Sequence, residues 1–180
     1  MADRTPAAET TSSDSVDAIA QAWLRERPGT PVDSIGVITR IWRIGKLLEE
    51  DRRQTMIRLG MDSATLDLLS TLRRSGPPYR LSPSELGKQA LVSAGAISQR
   101  VARAERAGYV RRGRSTADGR GVYVELTETG HTEVERTVDD LLRHEETLLS
   151  ALTPAQRTQL AGLLRILLAN VTLPETASGS

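Results

Sequence analysis

The sequence predicts a mainly α-helical chain interrupted once by a small antiparallel β hairpin, an α+β arrangement, and three observations carry that expectation. Residues 82–108 hold two short helical segments, each with its own start signal. Residues 109–126 place two runs of β-branched and aromatic side chains around a tip containing three glycines. The long stretches on either side are patterned at helical spacing.

Residues 1–13, MADRTPAAETTSS, are small, polar and unpatterned, and are expected to be disordered. Val16, Ile19, Ala20, Trp23 and Leu24 then recur at i, i+3, i+4, i+7 and i+8, with capping residues within 13–15 and Pro28 closing the segment. A second helix opens near Asp33 or Ser34 and runs toward Gly60. Its apolar residues, Ile35, Ile38, Ile41, Trp42, Ile44, Leu47 and Leu48, spread over more than one face, as in a helix packed on two sides. A third helix covers about Ser63 to Ser75 and is stopped by Gly76, Pro77 and Pro78.

Ser82, Pro83 and Glu85 form an S-P-x-E start: the hydroxyl accepts from the N3 amide, proline takes the position that needs no donor, and Glu85 reaches back to the cap. This short helix reaches about Ala90. Leu91, Val92 and Ser93 make a three-residue turn whose last member caps the next helix, and Gly108 ends that helix. Strands follow at 109–112 and 122–126, with Gly113 to Gly121 as the tip. Thr127 caps a long helix to about Ala151. Thr153-Pro154 opens a last amphipathic one carrying Leu160, Leu163, Leu164, Leu167 and Leu168, before a tail at 173–180 that is again expected to be disordered. The chain thus divides into N-terminal helices at 14–60, a central lobe at 61–126 and C-terminal helices at 127–172.

Two helices joined by a tight turn and followed by an arginine-rich hairpin are the layout of a winged helix-turn-helix. The expected partner is double-stranded DNA. The whole-chain net charge of +1 is uninformative, but its distribution is not: residues 93–121 sum to +5 and residues 122–180 to −5. Basic charge is concentrated where neutralising phosphates would supply salt-dependent affinity. A central lobe needs no long helices to read DNA, so the flanking helices at both ends point to a homodimer that reads a palindrome.

Phasing the second helix of the motif at ~100° per residue separates two jobs. With Ile97 at zero, Val101 and Ala104 fall within about 40° of it and form the buried stripe. Ser98, Gln99 and Arg106 point outward to the major groove, where Gln suits adenine edges and Arg suits guanine or phosphate. Ser93 and Gly95 lie at the helix start, where the backbone can approach the sugar-phosphate chain. Arg103 suits phosphate, as do Arg114 and Arg120 on the wing. Arg100 falls on the flank of the buried stripe, away from Gln99, and is a poor base reader.

Other functions find little support. Cysteine is absent, which excludes disulfides, thiolate metal sites and cysteine redox sensing. No signal sequence and no apolar run near 18 residues is present, so a cytoplasmic, nucleoid-associated protein without membrane attachment is expected. The two histidines, His131 and His144, accompany no nucleophile pair, phosphate loop or His-Glu-x-x-His array. No catalytic residue, metal site or cofactor is therefore assigned. A sequence-indifferent, ligand-independent architectural DNA binder is the competing reading.

The winged motif, the D-x-R phrase Asp118-Gly119-Arg120, the phrase Leu126-Thr127-Glu128-Thr129-Gly130 and the two terminal helices together resemble the MarR family of dimeric bacterial regulators, over about residues 34–170. That resemblance implies that Arg120 enters the minor groove and that Asp118 supports the wing's arginines. Gly119 and Gly121 flank Arg120, so a single basic side chain serves there. The extra helix at 15–27, with its phrase AWLRERPGT, resembles the urate-responsive branch of that family, the PecS and HucR type. By that resemblance Trp23, Asp67, Arg100 and Arg112 would bind a small anionic ligand, urate or a related purine or phenolic acid. Pattern alone leaves plainer roles open: Trp23 as core, Asp67 as a solvated carboxylate and Arg112 as a phosphate contact.

Overall fold

A computed structural model describes residues 13–90, 92–114 and 121–171. The chain contains seven helices and three short strands among these residues: α1 (Ser15–Glu26), α2 (Asp33–Leu59), α3 (Ser63–Arg74), β1 (Arg80–Leu81), α4 (Pro83–Ala90), α5 (Ala94–Arg106), β2 (Val110–Arg114), β3 (Val122–Leu126), α6 (Glu128–Leu148) and α7 (Pro154–Asn170). It divides into two compact units, Met1–Thr55 and Met56–Ser180. The expected α+β fold with a winged helix-turn-helix is the fold observed.

In the first unit, Asp14 caps α1 by accepting from the amides of Val16 and Asp17, and Asp17 returns the favour to the Asp14 amide. Arg40 of α2 fastens this start, bonding Asp14 at 2.9 and 3.0 Å and Asp17 at 2.7 Å. Arg43 adds a bond to the Ser15 hydroxyl. Val37, Trp42, Ile44 and Leu47 of α2 remain exposed within the chain.

The second unit is built on one core. Leu66, Leu68, Leu69 and Leu72 of α3, Leu86 of α4, Ile97, Val101 and Ala104 of α5, Val110, Val124 and Leu126 of the strands, and Val134 and Leu141 of α6 pack together. Their spacing follows from helix and strand periods, which put each set on one face. The capping box at Ser82 and Glu85 forms as the S-P-x-E phrase implies, with Ser82 N–H donating to Glu85 at 2.8 Å and Glu85 N–H to the Ser82 hydroxyl at 3.2 Å. Gly108 takes a positive φ of 79°, the left-handed turn that ends α5.

The sheet has one strand more than the sequence indicates. Its order is β1-β3-β2, all antiparallel, with Arg80 opposite Glu125 and Arg112 opposite Val124. β1 is two residues long, too short for any alternation to be visible, and it begins beside Tyr79, whose φ of 57° turns the chain into the sheet. The Leu126 amide donates to the Tyr79 carbonyl at 3.2 Å and closes this corner.

α7 carries the expected leucines, with Ile166 added off their stripe: Leu160, Leu163, Leu164, Ile166 and Leu168 are all exposed, and none of its residues is buried within the chain.

Candidate nucleic-acid interface

α5 is held by its apolar side and presents its polar side. Ile97, Val101 and Ala104 are exposed by only 1%, 2% and 0%, whereas Ser98, Gln99, Arg103 and Arg106 are all exposed. At its start the Ser93 hydroxyl accepts from the Ala96 amide at 3.3 Å, so Ser93 serves first as the helix cap. Gly95 is exposed, and a Cβ built there would meet nothing within 4 Å, leaving the backbone open to close approach. Arg106 donates to the Ala102 carbonyl one turn back at 3.2 Å.

The arginines are less free than a charge count suggests. Arg103 Nη1 lies 3.1 Å from Asp62 Oδ1, Arg111 Nη2 3.0 Å from Glu125 Oε2, and Arg112 Nε 3.4 Å from Glu105 Oε2. Among the described residues, no carboxylate comes within ion-pair reach of Arg106 or Arg114. Arg120 and Asp118 lie outside the described residues.

Asp62 is doubly committed. It caps α3, accepting from the Thr65 amide at 3.0 Å and the Thr65 hydroxyl at 2.7 Å. Partial burial pushes its carboxyl up, but the Thr65 bonds and the Arg103 guanidinium outweigh burial and hold it below the usual carboxylate range. The sequence contained a signal for this residue, since Asp immediately before a helix beginning at Ser63 is a favoured cap. Its reach to Arg103 could not be read, because it depends on how α3 and α5 cross.

The four residues implicated in ligand binding do not all gather. Asp67 and Arg100 face each other across α3 and α5, with Arg100 Nη1 3.9 Å from Asp67 Oδ2. Arg100 is 22% exposed and Asp67 53%, and Arg100 Nη1 itself is buried without a hydrogen bond. Arg112 stands on the other flank of α5, where with Pro83, Ala94, Ile97, Ser98, Val101, Val122 and Val124 it lines a cleft of about 80 Å³. Trp23 belongs to the first unit and is 51% exposed.

The C-terminal end of α5 is tied to α6 by the residues of the LTETG phrase. Thr127 Oγ1 donates to the Gly108 carbonyl at 2.6 Å and accepts from the Gly130 amide at 3.0 Å. The Thr127 amide donates to the Tyr109 carbonyl at 3.0 Å.

An exposed, capped helix carried on a three-helix core and followed by an antiparallel β2–β3 pair defines the class of winged helix-turn-helix proteins. Residues 59–121 match the model of the MarR family. Over 149 residues the chain is 31% identical to the HTH-type transcriptional regulator PecS of Dickeya dadantii (strain 3937), covering 83% of this chain and 90% of that one. The chain belongs to the MarR family of DNA-binding transcriptional regulators. Solved structures agree. Sco3205, a MarR family transcriptional regulator from Streptomyces coelicolor in complex with DNA, is 30% identical with a TM-score of 0.60, covering 76% of this chain and 89% of that one. Wild-type MarR in its apo form, from E. coli, is 25% identical with a TM-score of 0.60, covering 73% and 96%.

Proposed function

We propose that the chain acts as a homodimer that binds a palindromic operator, represses transcription there and is released by a small anionic ligand, urate being the first candidate. The observation that carries the DNA part is the division of α5, whose apolar stripe is fully buried while Ser98, Gln99, Arg103 and Arg106 stand together in solvent. In this reading Ser98, Gln99 and Arg106 meet base edges. Ser93, Gly95, Arg103 and Arg114 meet the sugar-phosphate chain, and Arg120, supported by Asp118, enters the adjacent minor groove. Sco3205, solved with DNA, supports it by likeness. The helices at 14–60 and 127–172 serve dimerisation, which would cover the apolar side chains exposed on α2 and α7.

Arg100 carries the ligand part. A buried donor left without a partner costs about 1–3 kcal/mol, and an anion entering beside Asp67 would satisfy it. Movement of α5 with Arg100 would then disturb the reading face and lower operator affinity. Arg112 would act separately: a cleft of about 80 Å³ admits only the edge of a planar anion, well below the ~300 Å³ of an enclosing ligand pocket. Trp23, 51% exposed, offers a stacking face to a planar ring.

Footprinting upstream of the chain's own gene, with and without urate, tests the whole reading. A palindromic footprint that fades with urate is expected. Competition against random DNA at ~150 mM salt tests the DNA part alone, where a regulator prefers its site by at least ~10³ and an architectural binder shows no preference. Urate titrated while tryptophan fluorescence is followed tests the ligand part: absence of binding at millimolar urate, or an Arg100→Ala protein with a normal response, overturns it.

A further inference from the structure

We propose that Asp62 and Glu105 determine specificity on the reading face: by holding Arg103 and Arg112 they weaken attachment to arbitrary duplex more than attachment to the proper site. This rests on the DNA-binding reading above, with Arg112 also meeting phosphate, the plainer role that its sequence pattern leaves open, and concerns two carboxylates that touch no DNA in it.

Sequence-independent attachment comes almost wholly from arginines and lysines replacing counterions on phosphates. An arginine already paired with a carboxylate must leave that partner to do so. Arg103 is paired at 3.1 Å with Asp62, which lies outside residues 93–121, so the charge that arbitrary DNA meets is smaller than their sum of +5, in which Glu105, paired with Arg112 at 3.4 Å, is already counted.

Asp62 is not an ordinary surface partner. Exposed ion pairs are often worth little because two long side chains must be ordered to make them. Here the Thr65 amide and hydroxyl have already fixed the carboxylate at the head of α3, so only the arginine remains to be ordered. Arg103 is nonetheless 59% exposed, leaving it reachable by a phosphate.

The asymmetry between the two kinds of DNA follows from orientation. On arbitrary duplex the arginine has no single target, and the carboxylate acts only as a competitor. On the proper site each guanidinium has a fixed target. There the carboxylate that competes for it also restricts its directions beforehand, and the two effects partly cancel.

The test uses the full chain with Asp62→Asn, which keeps a helix cap of equal quality while removing the charge. Affinity for the promoter fragment and for a random duplex is measured across a salt series. Binding of random duplex should tighten about threefold to fivefold at ~150 mM salt, with a salt slope steeper by up to ~0.9, while promoter binding changes less than about twofold. In an Arg103→Gln background the same substitution should change neither. Glu105→Gln, on the exposed side of α5, should shift random-duplex binding in the same direction and serves should Asp62→Asn unfold. A wild-type chain with no preference for its promoter overturns the DNA reading and this proposal with it. A discriminating wild type whose carboxylate variants leave random binding unchanged, or an Asp62→Asn effect that persists without Arg103, overturns this proposal alone.

Discussion

A single methyl group at Gly130 would collide with the carbonyl of Tyr109, which is backbone and cannot swing aside. That carbonyl also accepts from Thr127 N–H, so the start of α6 and the link from α5 into β2 are pressed together at one point. Gly130→Ala should therefore destabilise the second unit by about 1–3 kcal/mol, the usual cost of overpacking, and lower its thermal midpoint. Thr127→Val, which loses the cap and leaves the Gly108 carbonyl without its donor, should cost about 1 kcal/mol. A Gly130→Ala protein that melts like the wild type would show that α6 can shift away without penalty. The reading face divides in the same way, residue by residue. In the proposed role, Arg106→Ala should weaken operator binding by about 1–3 kcal/mol and relax the preference at one base pair. Arg114→Ala should weaken operator and random DNA alike and flatten the salt slope by about 1. Quantitative binding on a set of single-base operator variants separates the two outcomes.

Among the elements, α1 depends most visibly on charge. Hydrogen bonds from the Arg40 side chain hold the Asp14 carboxyl at about 2, against an ordinary value of 3.8, and the same guanidinium lowers Asp17. Because the folded value lies below the unfolded one, this contribution is complete above about pH 4 and disappears as pH falls through about 2. Protection of the α1 amides from hydrogen exchange, taken relative to the intrinsic rate at each pH, should fall over that window, and Arg40→Gln should lower the protection already at neutral pH. Equal exchange in the variant and the wild type would rule out the clamp. This contact also marks where sequence reading ends. The stripe of Ile97, Val101 and Ala104 was legible because burial of one helical face imposes a period, and the caps at Ser82, Ser93, Thr127 and Thr153 were legible because their partners sit three residues away. Arg40 with Asp14, Arg103 with Asp62 and Arg112 with Glu105 were not. Ion pairs between elements leave no period in the chain, and their geometry is fixed only when helices pack. β1 escaped for a different reason, since two residues paired to Glu125 and Val124 carry no pattern of their own.

At the scale of the whole molecule, α7 poses the main physical question. Its Leu163, Ile166 and Leu168 are 59%, 64% and 77% exposed, and apolar side chains so placed along one helix are costly to leave in water. The proposed homodimer would give them cover. Because none of α7 is buried within the chain, a charge placed there should spare the fold of a single chain while opposing association. Leu163→Glu with Leu168→Glu should therefore yield a folded monomer by sedimentation velocity, with a circular dichroism spectrum close to that of the wild type. The consequence for DNA follows from linkage between half-sites. In a dimer, attachment of one reading helix presents the other at high effective concentration to a half-site ~34 to 36 Å away, or a multiple of it, which raises affinity by about 10² to 10⁴ over one lobe alone. The monomeric variant should lose about that factor on the full palindrome. It should lose almost nothing on an isolated half-site, because Ser98, Gln99 and Arg106 are untouched. Moving the half-sites apart by about 5 base pairs, half a helical turn, should penalise the wild type and leave the variant indifferent. A variant that stays dimeric would place the interface elsewhere than α7. One that becomes monomeric yet binds the palindrome as tightly as before would remove dimerisation from the account of operator recognition.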